Sequence, residues 1–218
     1  MSEILIAALI GAGATLMVTI ITQISTVYIS RFKENLEIKQ KEFQIKRDNL
    51  SGIYKTLTSV INSFPNESPN DVLKNIECSP NYSVENFNAV LKILDYQIED
   101  YRNQLKNVNI SYEQKNDIDV QISNREYSKK KISEIRDKYY KARDYYKSFC
   151  ESDKMIFDLY AGQNVRNALV RFEVVIHNVF ISGHSVGDVY DPLNNSIEIT
   201  RWNLIDSMRN DLGINRNI

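Results

Sequence analysis

Twenty-seven consecutive residues, Ile4 to Ser30, carry no charge, and the first eighteen of them (ILIAALIGAGATLMVTII) are almost wholly apolar. As a helix rising 1.5 Å per residue the run is about 40 Å long, enough to cross a hydrocarbon core of about 30 Å. A cleaved secretory signal would place positive charge before the run and a small-residue cleavage site after it, whereas here Glu3 precedes it and Thr22-Gln23-Ile24-Ser25 follows. An uncleaved anchor over residues 1–30, partnered by a lipid bilayer, is therefore expected. Arg31, Lys33, Lys39, Lys41, Lys46 and Arg47 all follow the anchor and no Lys or Arg precedes it. The positive-inside rule then predicts a single-pass protein of the cell membrane, N-terminus outside and C-terminal domain in the cytoplasm. Ala7, Gly11 and Thr15 recur at four-residue spacing, which permits close approach of helices in lipid.

Beyond the anchor, seven Gly and four Pro in 218 residues leave little material for the turns of a many-stranded sheet, while 43% hydrophobic and 25% charged residues are those of a folded body. An all-α fold is predicted. Leu36, Phe43, Leu50, Leu57 and Phe64 fall at a strict seven-residue interval. From residue 53 onward Ile53, Tyr54, Val60 and Ile61 fill the second half of that seam, whereas its first half holds Lys39 and Lys46. Residues 31–64 thus read as a charged stalk leading into a first core helix. Residues 65–83, with three prolines, read as a loop with a short helical turn from Asp71 to Ile76. Residues 84–150 read as a long αα-hairpin: a helix capped by Ser83 with its stripe through Phe87, Val90, Leu91, Leu94, Ile98, Tyr101 and Leu105, a break at 107–111, and a helix from Tyr112 to Phe149. Residues 151–218, of which 154–181 are much more apolar than the hairpin, read as the helical core. It is expected to hold one buried helix over 154–181 through Leu159, Val165, Leu169, Phe172, Val175, Ile176 and Val179, then a last helix from Ser196 to Leu212 bearing Trp202, Ile205 and Met208 and ending at Gly213.

The sharpest local feature is Arg125 to Lys147, with nine basic and four acidic residues. At 100° per residue Arg125, Lys129, Arg136, Arg143 and Lys147 fall within about 40° of one another. Tyr140 lies beside them and Tyr139 and Tyr146 flank them, so cations able to track a phosphate backbone adjoin rings on which bases could stack. The rival reading is a solvated face or internal pairing, because residues 65–124 hold ten acidic and five basic positions. Contact with acidic lipid headgroups is a third.

Chemistry of other kinds finds little purchase. Net charge is -1, which points to no polyanionic partner by itself. Cys78 and Cys150 lie far apart without a CxxC, so two reduced thiols are expected rather than a zinc site or disulfide framework. His177, His184, Asp188 and Asp191 have no diagnostic metal spacing, and neither metal nor cofactor is expected. Paired catalytic carboxylates, a nucleophile elbow and a Cys/His arrangement are absent from the pattern. Arg171 precedes His177 by six residues, a spacing similar to the Arg-x4-6-His pattern of HEPN ribonucleases, which are all-helical. Phe172 stands where that pattern carries a polar residue, and a regular helix separates Arg171 from His177 by about 120°. A core or helix-end histidine is the alternative.

The Gly/Ala-bearing anchor (Ile10-Gly11-Ala12-Gly13-Ala14), the Arg/Lys/Glu-rich helix after it and the segment Leu50-Ser51-Gly52-Ile53-Tyr54-Lys55-Thr56-Leu57 resemble small bacterial membrane-anchored proteins, some encoded by mobile elements. With an Asn/Ile/Lys/Tyr-rich composition and a basic, Tyr-laden helix, the chain also resembles lactococcal abortive-infection proteins of the AbiP kind, a membrane-anchored group with nucleic-acid binding. The resemblance implies phage resistance through a cytoplasmic, non-enzymatic domain that binds single-stranded DNA or RNA. A self-associating scaffold, forming a homo-oligomer, and a tethered HEPN-like ribonuclease are the competing expectations.

Overall fold

Every regular element among the described residues is helical, and the all-α expectation holds. The computed structural model describes residues 2–76, 81–106 and 109–214 and, within them, the side chains of all but residues 4–10. Cys78 and Pro80, Asn107 and Val108 of the expected break, and the side chain of Ala7 lie outside the described residues.

The first helix, α1 (Glu3–Ser63), takes in the apolar run, the stalk and the first core segment. By contacts the chain divides into two units, Met1–Asp48 and Asn49–Ile218. In the first unit Leu16, Val18, Ile21 and Ile24 are between 61% and 65% exposed. This is one helix long and apolar enough to cross a membrane. Its hydroxyls need no water: Thr15, Thr19, Thr22 and Thr26 each donate to the carbonyl four residues back, at 2.7–2.8 Å. Such back-bonding lets threonines sit in an apolar medium without an unsatisfied donor. Along the heptad seam Leu36 and Phe43 are exposed, whereas Leu50 is fully buried, so the stalk gives way to core between them.

In the second unit the distal part of α1 packs Leu50, Leu57, Ile61 and Phe64 against four further helices: α4 (Tyr112–Ser152), α5 (Lys154–Tyr160), α6 (Gln163–Phe180) and α7 (Ser196–Asp211). Phe64 meets Phe172 of α6 edge-on at 5.7 Å and Tyr139 of α4 at 6.2 Å, and Tyr139 stacks on Phe180 at 4.7 Å. Interdigitated rings of this kind add about 0.5–1.5 kcal/mol per pair to area burial. The core is therefore shared by residues 151–218 with the distal part of α1, the first core helix of the sequence reading, and with α4. A smaller cluster joins α2 (Pro69–Leu73) and α3 (Phe87–Gln104) to Ile132 of α4.

Local chemistry sets the ends. Arg201 of α7 is 5% exposed and donates to the carbonyls of Ile61 and Phe64 at 3.1 and 3.0 Å, and to Asn66 Oδ1 at 2.8 Å, while pairing with Glu198. It thereby caps the last turn of α1, whose carbonyls have no partner within the helix. Helix α2 begins two residues earlier than expected because Ser68 accepts the Asn70 N–H and Pro69 occupies the first turn. Helix α3 begins at Phe87, not after Ser83, since Ser83 opens a turn in which it and Asn86 exchange side-chain and backbone hydrogen bonds. Ser111 and Gln114 form a capping box at the start of α4, which runs three residues beyond the expected Phe149.

The expected single helix over 154–181 is two helices. Ala161 is extended and Gly162 caps α6. The Gly162 N–H donates to Asp211 Oδ2, and a Cβ on Gly162 would stand 2.4 Å from Asp211 Oδ1, so a larger residue would have to displace that carboxylate. The break turns Leu159 outward, where it is 73% exposed rather than part of the core. On α7 the buried residues are Ile197, Arg201, Leu204 and Met208, and Trp202 is 43% exposed.

Candidate nucleic-acid interface

Helix α4 has 41 residues, and its neighbours change along its length. Its first half lies on α3 and its second half in the main core. A strip of constant wheel angle consequently meets different surroundings at different heights, and the five-cation ribbon is divided among them.

Arg125 is 3% exposed, with its Nε donating to Gln97 at 2.9 Å, its Nη1 to Gln121 and its guanidinium 4.7 Å from the Tyr101 ring centre. As a phosphate contact it is excluded by burial; it is a strut of the α3–α4 hairpin. Lys129 pairs with Asp95 of α3, and next to it Arg102 pairs with Glu126. Arg136 lies 3.7 Å over the Phe87 ring and bonds Asp137, leaving its side chain 28% exposed. Only toward the far end does the ribbon meet solvent: Arg143 stacks 4.7 Å over the half-buried Tyr140 with its side chain 55% exposed, and Lys147 is 75% exposed, 3.9 Å from Glu151. Tyr139 is buried, which raises its phenol pKa. Tyr146 donates to Glu173, and burial followed by that bond pushes its pKa far up, so it belongs to the packing and not to a stacking platform.

A second strip of α4 is more open. Tyr127, Lys131, Lys138, Lys141 and Tyr145 fall within about 80° on the wheel and border two adjoining grooves of about 670 and 720 Å3 between α4, the segment after α1 and the loop at Tyr190. Tyr127, Tyr145 and Tyr190 are 64%, 47% and 96% exposed. Lys131 is held by Glu67 at 2.9 Å, a bond that raises its pKa. Among the described residues no acidic group pairs with Lys138, and Lys141 Nζ lies 5.8 Å from the Tyr145 ring centre. The acidic groups of the grooves are already engaged: Asp71 accepts from Ser185 and Val186, and Asp188 from the Tyr190 N–H. Reading the nine-cation segment at a single wheel angle overlooked this strip, although Tyr127, Lys131, Lys138 and Tyr145 carried the same helical spacing.

Arg171 and His177 are both exposed on α6. Arg171 borders a groove with Asn167, Asn203 and Asp206, whereas His177 lies in the last turn, its carbonyl accepting the Ile181 and Ser182 N–H groups. Six residues of regular helix place them about 9 Å apart along the axis and on different faces. Among the described residues no group of three or more His, Cys, Asp or Glu is disposed to hold a metal. Cys150 is a free, partly buried thiol beside Tyr146.

Neither a known protein family, nor a curated protein, nor a solved structure matches this chain. Fold and surface define a class only: an all-α protein with one helix long and apolar enough to cross a membrane.

Proposed function

We propose that this chain is a single-pass protein of the bacterial cell membrane, N-terminus outside, whose cytoplasmic helical body is a non-enzymatic binding domain for single-stranded nucleic acid, acting in phage resistance. The observation that carries the binding reading is the strip on α4, where, among the described residues, no acidic group pairs with Lys138 or Lys141 and exposed tyrosines lie beside them. Cations that follow a backbone beside sequence-tolerant stacking rings are what single strands require. The anchor reading is supported by the uncovered apolar length of α1 and its internally bonded threonines, and the orientation by the six cations that follow it. The phage-resistance setting rests on the resemblance to abortive-infection proteins.

Full-length protein in neutral-lipid nanodiscs, titrated with a fluorescent oligo-dT or oligo-U, tests the binding. Lys138→Gln and Lys141→Gln should each weaken it for any sequence and lower the salt slope by about 0.7 per lost phosphate contact. Tyr145→Ala should cost about 1–3 kcal/mol of affinity, while Lys129→Gln should change little. Affinity indifferent to the strip would end this reading. A structural role for the basic helix is the second reading, favoured by the Lys129–Asp95 and Arg102–Glu126 pairs, which join α4 to α3.

A further inference from the structure

The stalk carries an apolar seam that no described residue of the first unit covers. Phe32, Leu36 and Phe43 are 61%, 47% and 44% exposed. Written as a heptad with Leu36 and Phe43 at a, Phe32 falls at d, and the next a residue, Leu50, is buried in the core of the second unit. Followed upward in the same phase, the seam passes through Ile29 (a), Ser25 (d), Thr22 (a), Val18 (d), Thr15 (a) and Gly11 (d). Small and hydroxyl residues within the apolar run and large apolar ones outside it thus share one face. The first kind suits close helix approach in lipid, where apolar area drives nothing; the second suits association in water. A Cβ on Gly11 would meet nothing within 4 Å, and the Thr15 and Thr22 hydroxyls are turned back onto their own helix.

We infer that a second copy of this chain covers this seam, forming a parallel, left-handed helix pair from about Gly11 to Arg47. Parallel alignment rests on the membrane reading above, since two copies inserted alike can pair in no other direction. Charge supports it: in a parallel pair g faces e′ five residues on, which sets Glu42 against the partner's Arg47 and Asn35 against the partner's Gln40. Lys39 and Lys46, at d, lay their stems along the seam with the ammonium groups at its edge, which weakens the pair and fixes its register. Two to three heptads of this quality do not associate as free peptides; confinement to one bilayer supplies the missing concentration.

Single cysteines are placed along the stalk of the full-length protein carrying Cys78→Ser and Cys150→Ser, and membranes are oxidised after carbonate washing. Disulfide-linked dimer should peak at Phe32→Cys, Leu36→Cys and Phe43→Cys and be several-fold weaker at Glu37→Cys and Lys41→Cys. Glu42→Lys should reduce the Leu36→Cys product, and adding Arg47→Glu should restore it. Uniform or absent cross-linking in the membrane pellet, or peaks at Ile38→Cys and Ile45→Cys, would overturn the seam while leaving the membrane reading intact. Release of the protein by carbonate would overturn both, and neither result touches the nucleic-acid titration.

Discussion

Arg201 shows how much a single side chain decides here. With three acceptors from the end of α1 and Glu198 as its counter-ion, it is a buried charge whose bonds are all made. Removing one partner of such a set typically costs 3–5 kcal/mol because the others stay buried and unpaired. Arg201→Met is expected to lose roughly that much stability in denaturant titration, and Arg201→Lys to recover little, since one ammonium cannot reproduce the fork. Nothing local announced this role: the sequence marks an arginine in a helix, and only the arrival of α1 makes it a cap. The buried tyrosines carry a pH dependence. Burial first, then the bonds to Asp211 and Glu173, raise the phenols of Tyr54 and Tyr146 above their ordinary range. A folded pKa above the unfolded one gives stability that is complete below about pH 10 and falls as pH rises past it, by up to about 1.4 kcal/mol per pH unit for each group. Tyr54→Phe and Tyr146→Phe should flatten that alkaline fall in melting curves taken between pH 9 and 11.

At the scale of elements, periodicity was readable wherever one helix face met one kind of surroundings. The heptad through Leu50, Leu57 and Phe64 and the stripe through Phe87, Val90, Leu94 and Ile98 are buried as their spacing requires. It misled where the determinant lay elsewhere in the chain. Residues 154–181 keep enough apolar residues to pass for one helix, yet the chain breaks at Ala161 and Gly162, where the Gly162 N–H bonds Asp211, 49 positions away. The basic face of α4 misled in another way, because a wheel gives an angle and not a neighbour. Where α3 is the neighbour, the cations pair: Lys129→Glu should lower stability by at most about 1 kcal/mol, as both side chains of the Lys129–Asp95 pair are well exposed and salt screens them. Combining it with Asp95→Lys should return most of the loss, and a double-mutant cycle by thermal melting measures that recovery. No recovery would mean that Lys129 does not hold the hairpin.

For the whole molecule, a helix long and apolar enough to cross a membrane was legible in the sequence, because the length and apolarity that lipid would demand need no tertiary partner to be read. The exposed strip on α4 was not visible, since which face stays open depends on where the segment after α1 and the Tyr190 loop come to rest. On the proposed topology, protease added outside intact cells should leave residues 49–218 uncut, and permeabilising the membrane should expose them. Cutting before permeabilisation would reverse the orientation. The cap on α1 also orders events during synthesis. Arg201 reaches the Ile61 carbonyl across 140 positions, and at about 5–20 residues per second the ribosome needs roughly 7–28 s to deliver it. For that interval the seam from Leu50 to Phe64 waits without α6 and α7 to close over it. A nascent chain in that state shows apolar surface to its surroundings, and chaperone capture of ribosome-bound chains stalled before Ser196 is the trace it should leave.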